Sequence, residues 1–443
     1  MKEVLFNIKT RLFRRKAWEL YDKILCESKL SDDERQGIIL DRFKSLLIHA
    51  YKNTDFYKEK YDEYDFDINS IRSLEDIRNV PLISKDDLVQ YERKFRAKDL
   101  ADRCFAKSVT GGSTGVPTTV YHDKRVQLEA FNWYLLRLWG ARPSDNAAFL
   151  ARYNPSKTSP IFNRFAWWPT KRVHLDVTNV NDQALQAFYE RCKEIRPIYI
   201  EGYVGAVEQF AIYLQKKCLR LDGLKFVWTT SAPLLPSTRA TIQAAFNCKV
   251  YDQYGCCEIY WLGAECGNIH GGLHIFDTFR HVEIIDEQMK YAVSNQYGSI
   301  VLTDLLNYAF PLIRYVNGDR GAWAEPCECE AAKFKIILPV RGRVTECILL
   351  PSGGFIPGEF LTTIFDAYPS AVRQFQVKQK KDYSLEISYV RNNKAESEKS
   401  LAGAMNSIFC QTTKAGLSVN FKEVEEIRND KGKLRYVISE LNK

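Results

Sequence analysis

Apolar residues recur at helical spacing through the first hundred positions, broken by short polar turns, and this stretch reads as a set of helices. The opening, MKEVLFNIKTRLFRRKAWELYDKIL, scatters basic residues among apolar ones. It predicts an amphipathic helix packed on the body of the protein, with Arg11, Arg14, Arg15 and Lys16 as a basic face open to a membrane surface or a partner. A secretion signal keeps an uninterrupted apolar centre, which is absent here. Ser84, followed by acids in SKDDLVQY, has the chemistry of a helix start. Leu128, Phe131, Leu135 and Leu138 predict a helix over RVQLEAFNWYLLRLWG.

Between about 145 and 260 the period alternates. AAFLARY, PIYIEGY, LKFVWTTSAPL and CKVYDQYG read as strands; DQALQAFYERCKEI, VGAVEQFAIYLQKKC and STRATIQAAF read as helices. Such alternation predicts an α/β domain. From 280 to 350, RHVEIID, GSIVLTDL, PLIRYVNG and FKIILPV follow one another closely, as in an antiparallel, barrel-like region. Beyond VRGRVTE the character changes again. A hairpin (VRQFQVKQ, YSLEISYVR), a helix (AESEKSLAGAMNSIFCQTT) and a last strand (SVNFKEVEEI) predict a small α+β domain. The expected division is 1–342 and 343–443.

Composition narrows the class. The 443 residues are 45% hydrophobic and 27% charged, an ordinary soluble balance. The net charge of +8 is spread along the chain. It suits an anionic small ligand and gives no footprint for nucleic acid. No apolar run reaches the ~18 residues of a membrane span. Twelve cysteines without a signal predict a reducing, cytoplasmic setting, with thiols free or on metal.

The most unusual stretch is SVTGGSTGVPTTVYHD, residues 108–123. A nucleotide P-loop needs a Lys after its last Gly, and here Val116 and Pro117 follow Gly115. Gly111-Gly112-Ser113-Thr114-Gly115 satisfies the nucleophile pattern G-x-S-x-G, with Ser113 as a hydrolase nucleophile. That elbow runs straight into a helix, however, whereas Pro117, Thr118, Thr119 and Val120 favour a strand or turn. A plain surface loop is a third reading. In the fourth, backbone N–H groups and the Ser113 and Thr114 hydroxyls wrap a polyphosphate.

TGGSTGVP, from Thr110, resembles the phosphate loop of adenylate-forming ligases, and its companions follow in order. TTSAPL carries Ser231, Ala232 and Pro233, similar to the segment that lies along adenine. YDQYGCCE resembles Y-G-x-[TS]-E, which implies Tyr254 on adenine, Gly255 at the turn, and Glu258 holding Mg²⁺. RYVNGD resembles R-Y-x-T-G-D, which implies Asp319 on the ribose hydroxyls. Gly342-Arg343 resembles the interdomain hinge, and KGKLR the C-terminal lysine motif, with Lys433 catalytic. The closest branch resembled is that of phenylacetate–CoA ligases and CapK-type capsule-biosynthesis proteins. The chain departs from the pattern at Cys257, where a hydroxyl is usual; a thiol is a weaker donor and is expected to weaken ATP handling. Asn317 replaces a Thr, and Thr345-Glu346 the usual hinge pair.

The resemblance implies a large ATP- and acid-binding domain and a small mobile lid. It implies ATP and Mg²⁺ as requirements, a carboxylic acid as substrate, and coenzyme A or an amine as acceptor, the amine in capsular polysaccharide synthesis. The rivals are a nucleotide-binding ligase fold that no longer reacts and a Ser113 hydrolase. Phe131, Trp133 and Tyr203 are candidates for the acid pocket. Separately, Cys266, His274, Cys327 and Cys329 form two tight pairs suited to a tetrahedral structural Zn²⁺, with His270 as rival ligand.

Overall fold

The computed structural model describes the chain at all positions other than 111–117, 152–166, 178–179, 232–233, 235, 268–271, 287, 328, 330–332, 339–347, 352–354, 357–371, 392–396, 415, 426, 428–436 and 442–443. The chain divides into two compact units, Met1–Ser108 with Val120–Gly342, and Val109–Thr119 with Arg343–Lys443.

The first unit opens with helices α1 (Lys2–Phe13), α2 (Arg15–Glu27), α3 (Asp32–Asn53), α4 (Asp55–Glu63) and α5 (Lys85–Gln90). Reciprocal capping boxes start α3, at Ser31 and Glu34, and α5, at Ser84 and Asp87. β1 (Phe105–Thr110) and β2 (Thr118–Asp123) flank the glycine-rich loop, and α6 (Glu129–Leu138) follows. A strand therefore leaves the loop where a nucleophile elbow requires a helix, which removes the Ser113 hydrolase reading.

An eight-stranded sheet carries the site. Its strands are β3 (Ala147–Ala151), β4 (Arg172–Asp176), β5 (Tyr199–Tyr203), β6 (Phe226–Thr230), β7 (Lys249–Tyr254), β8 (Gly263–Ala264) and β9 (Leu273–Ile275), with β13 (Ile336–Ile337) at one edge. The order is β13-β9-β8-β7-β6-β5-β3-β4. β3 to β7 pair in parallel through crossovers that include α7 (Asp182–Ile195), α8 (Val204–Lys216) and α9 (Pro236–Phe246). Strand alternation sends Ala148, Ile200, Val227 and Val250 into one core with Phe188 and Phe210, and sends Tyr199, Phe226, Trp228 and Tyr251 into another with Phe131 and Trp133.

β10 (Arg280–Ile285), β11 (Gly298–Asp304) and β12 (Tyr315–Gly321) make an antiparallel sheet whose register slips between Ser299 and Val301. In the second unit, β14 (Ile348–Leu349) pairs with β15 (Phe355–Ile356). A four-stranded sheet runs β18-β17-β16-β19, from β16 (Val372–Gln379), β17 (Leu385–Arg391), β18 (Val419–Glu423) and β19 (Val437–Ser439), and α10 (Ser397–Lys414) supplies Leu401, Ala404 and Ile408 to its core. No described helix is long and apolar enough to cross a membrane. The described cysteines form no disulfide.

Candidate active site

The Tyr254–Glu258 segment turns sharply at the carboxyl end of β7. A Cβ on Gly255 would lie 3.0 Å from Gln253 Nε2 and 3.2 Å from Trp261 N, so a larger residue there requires its neighbours to give way. Cys256 N–H donates to Ile259 O at 3.1 Å, Leu262 N–H donates to Tyr254 O at 3.0 Å, and Trp261 takes a left-handed φ of 59°. The turn puts Cys257 in solvent and buries Glu258, 6% exposed, where Tyr315 Oη donates to its Oε1 at 3.2 Å.

β12 brings the next group. Its register against β11 slips between Val316 and Arg320, and a bulge of this kind re-aims side chains. Tyr254 Oη donates to Asp319 Oδ2 at 2.8 Å, Asn317 Nδ2 donates to the same oxygen at 2.8 Å and lies 2.9 Å from Tyr254 Oη, and Asp319 N–H donates to Asn317 Oδ1 at 3.0 Å. Burial, then the Asp319 charge, push the Tyr254 hydroxyl well above its usual range, so it stays a neutral donor. Asn317, which in the sequence is only a substituted Thr, holds the tyrosine and aspartate together. Arg314, at a φ of 53°, is structural: buried, paired with Glu283 at 3.0 Å, and donating to the carbonyls of Arg78 and Val80.

A polar foundation lies beneath the turn that the sequence did not reveal. His122 Nε2 is 3.0 Å from Cys257 O, and its ring stacks on Tyr260 at 4.2 Å. Tyr260 Oη meets Ser108 Oγ at 3.0 Å, and Arg280 Nε donates to Tyr260 O at 3.0 Å while pairing with buried Asp304. Burial lowers the His122 pKa, which keeps the imidazole neutral. Ser108 and His122 flank the glycine-rich loop and meet Tyr260 and the Cys257 carbonyl from a segment more than a hundred residues away in the chain.

On the neighbouring strand end, Ser231 has a φ of 77° and is exposed, just past Thr230, whose Oγ1 donates to Gln253 Oε1 at 2.7 Å. Ala232, Pro233, Gly111, Gly112, Ser113, Thr114, Gly115, Arg343 and Lys433 lie outside the described residues, as does His270; Thr110 ends β1. Phe131 and Trp133 are not pocket residues. Phe131 is sealed against Phe276 and Phe279, and Trp133 among Phe6, Trp18 and Tyr21. Tyr203 is half-buried at the end of β5.

Glu201, also on β5, is a further unforeseen group. It sits opposite Phe149 of β3 and Trp228 of β6. Its Oε2 and Trp228 Nε1 are both sealed from solvent and have no hydrogen-bond partner among the described residues. Burial raises the Glu201 carboxyl to about 7, against an opposing effect of Arg172.

Cys266, His274, Cys327 and Cys329 converge from β9, the turn after β8 and the segment before β13, with all four ligand atoms within 4.8 Å of one another. Cys327 Sγ lies 3.6 Å from His274 Nε2. Cysteine and histidine ligands around one Zn²⁺, at ~2.3 and ~2.0 Å, stand within about 4 Å of each other, so the set fits that ion with small adjustment.

The chain is similar in sequence to a phenylacetate–coenzyme A ligase of Thermus thermophilus, 22% identical over 355 residues and covering 78% of each chain. It is also similar to Protein CapK of Staphylococcus aureus, 22% identical over 330 residues, covering 72% of this chain and 70% of that one. No family model matches it. In fold it resembles a 2-hydroxyisobutyryl-CoA ligase solved with 2-HIB-AMP and CoA in the thioesterification state, at a TM-score of 0.66 and 19% identity, covering 93% of this chain and 91% of that one.

Proposed function

We propose that this chain, a member of the phenylacetate–CoA ligase and CapK branch of the adenylate-forming superfamily, activates a carboxylic acid as its acyl-adenylate and transfers the acyl group to coenzyme A. The observation that carries the reading is the Tyr254–Asn317–Asp319 cluster beside buried Glu258. Residues drawn from two separate motifs of the resemblance meet at hydrogen-bond distance.

Adenylation joins two anions, and the site must first offset their repulsion. The acid's carboxylate oxygen attacks the α-phosphorus, the bond to the bridging oxygen breaks, and pyrophosphate leaves with that electron pair. Asp319 accepts from the ribose hydroxyls, its carboxylate held in place by Tyr254 and Asn317. The resemblance assigns the outer phosphates to the backbone N–H groups of Gly111 to Gly115 and the Ser113 and Thr114 hydroxyls. Glu258 and the phosphate oxygens would hold Mg²⁺; one fixed carboxylate, with the remaining positions left to phosphate and water, is the donor set this ion prefers. Bound there, the ion adds positive charge where negative charge accumulates. Cys257 is exposed at the tip of the turn, and a thiol there donates weakly to phosphate.

The acid's chemistry follows from Glu201. Half-buried beside half-buried Phe149 on one sheet face, its carboxyl favours an acid whose tail bears a hydroxyl or amino group, and Phe149 supplies an apolar wall. An amine acceptor joined to a surface-polysaccharide precursor, implied by the resemblance of the motifs to CapK-type proteins, is a second reading.

Pyrophosphate release with hydroxylamine as trap, without coenzyme A, tests the first half-reaction across aryl, fatty, hydroxy and amino acids. A signal with one class is expected. Silence across all of them with ATP still bound overturns the reading in favour of an inactive ligase fold. Adding coenzyme A or an amine to the active acid then identifies the acceptor.

We assign the cysteine–histidine cluster as a structural zinc site. Protein purified without chelators is expected to carry about one zinc per chain, and Co²⁺ exchanged into it should show thiolate charge-transfer bands. Cys329→Ser should lose the metal and melt roughly 5 °C lower or more. Metal-free protein with an unchanged melting temperature overturns the assignment.

A further inference from the structure

Helix α1 has two apolar faces, and only one of them is used. Phe6 and Thr10 point inward: Phe6 packs edge-on against Trp133 at 5.9 Å, and Thr10 Oγ1 accepts from Trp18 Nε1 at 3.0 Å. Polar contacts fasten the same helix to the body. Glu3 pairs with Arg142 at 2.8 Å, and Lys9 Nζ donates to Trp168 O at 2.6 Å. At about 100° per residue, Val4, Ile8 and Leu12 fall on one line opposite Phe6 and Thr10. They are 58%, 55% and 73% exposed, Met1 continues the row, and the Trp168 ring, whose carbonyl Lys9 holds, is also exposed. A helix tied down on one side thus holds a continuous apolar row in water on the other. Isolated exposed leucines are ordinary; a fixed row of this length is not.

The charges around the row identify its occupant. The first sixteen residues contain six basic side chains and one acidic one, Glu3, which is committed to Arg142. Arg11 through Lys16 are all exposed. Arg14 and Arg15 keep the larger part of their side chains in water despite contacts with Glu129 and Glu19. A second copy seated on this face would bring two basic rims together. A sheet of anionic headgroups over apolar chains complements both features at once, and an aromatic ring at the edge is what the headgroup layer favours.

We propose that α1 is a membrane-surface anchor that lies in the plane of an anionic bilayer, with Val4, Ile8 and Leu12 in the acyl boundary and Arg11, Arg14, Arg15 and Lys16 among the phosphates. The full chain is expected to float with vesicles of phosphatidylcholine and phosphatidylglycerol. It should float roughly tenfold less with phosphatidylcholine alone, and less again as salt rises. Ile8→Glu with Leu12→Glu should lower binding to the mixed vesicles by roughly tenfold or more. Both side chains are in solvent, so the melting temperature and adenylation activity should be unchanged. Absence of flotation on anionic vesicles, or undiminished flotation of the double variant, overturns the proposal. So does a dimer in size-exclusion chromatography that the double variant dissolves, since the face would then be a contact between copies.

Discussion

Glu258→Gln is expected to lower acyl-adenylate formation by about 100- to 1000-fold while leaving the fold intact. The two halves of that expectation have different causes. The loss of rate follows from charge: the segment presents one buried carboxylate at this point, and glutamine is a poor ligand for a hard divalent cation. The retained stability follows from geometry. The glutamine oxygen can still accept from Tyr315 Oη, and a neutral amide costs less to bury than a carboxylate. Tyr315→Phe should therefore be much milder, within about tenfold, because it frees the carboxylate's position without removing its charge. Pyrophosphate exchange measured across a magnesium titration reads both variants. A Glu258→Gln enzyme within fivefold of the parent at every magnesium concentration would remove Glu258 from the reaction.

That test depends on residues legible in the sequence, and the contrast with those that were not is instructive. Tyr254, Gly255, Glu258 and Asp319 sit in short motifs because a turn at a strand end needs a glycine and a few fixed neighbours, which are local requirements. The four converging cysteine and histidine residues were visible for a similar reason, each pair lying on one short segment. His122, Arg280 and Asp304 left no such trace, since they support the turn from other strands. Glu201 reads from sequence as a polar residue in a strand; only its placement opposite Phe149 and Trp228 shows a carboxyl oxygen shut away from water. Aromatic residues misled in the other direction. Phe131 and Trp133 follow the glycine-rich loop as pocket residues would, yet helical period turns them into the core.

The strands show the same division. β5, β6 and β7 are buried on both faces and are apolar enough to recognise. β4 is an edge strand with Arg172, His174 and Asp176 on alternate positions, and polar edges of this kind hide a strand from an apolar-period reading. β19 is only three residues long and gains its identity by parallel pairing with β16, about sixty positions away. Asn317 is the subtlest case: a motif substitution that looks neutral until the bulge in β12 aims it at Tyr254 and Asp319 together.

Lys433→Ala should separate the two half-reactions. The acid's carboxylate and the α-phosphate both carry negative charge, and two unit charges 4 Å apart repel by ~4 kcal/mol at an effective dielectric near 20. A lysine ammonium that contacts the attacking carboxylate and the bridging oxygen offsets an energy of that order, which corresponds to about 1000-fold in rate. Thioester formation from a supplied acyl-adenylate has no such pair of anions to bring together: the thiolate attacks a mixed anhydride, and AMP leaves. Adenylation should therefore fall about 1000-fold in Lys433→Ala, transfer from synthetic acyl-adenylate to coenzyme A should stay within severalfold, and the dissociation constant for ATP should change little. Lys433→Arg should recover part of the lost rate, because the charge is restored on a bulkier, planar head that cannot occupy the same point. Adenylation near the parental rate in the alanine variant would assign Lys433 to the solvated surface. Equal loss of both half-reactions would make its role structural.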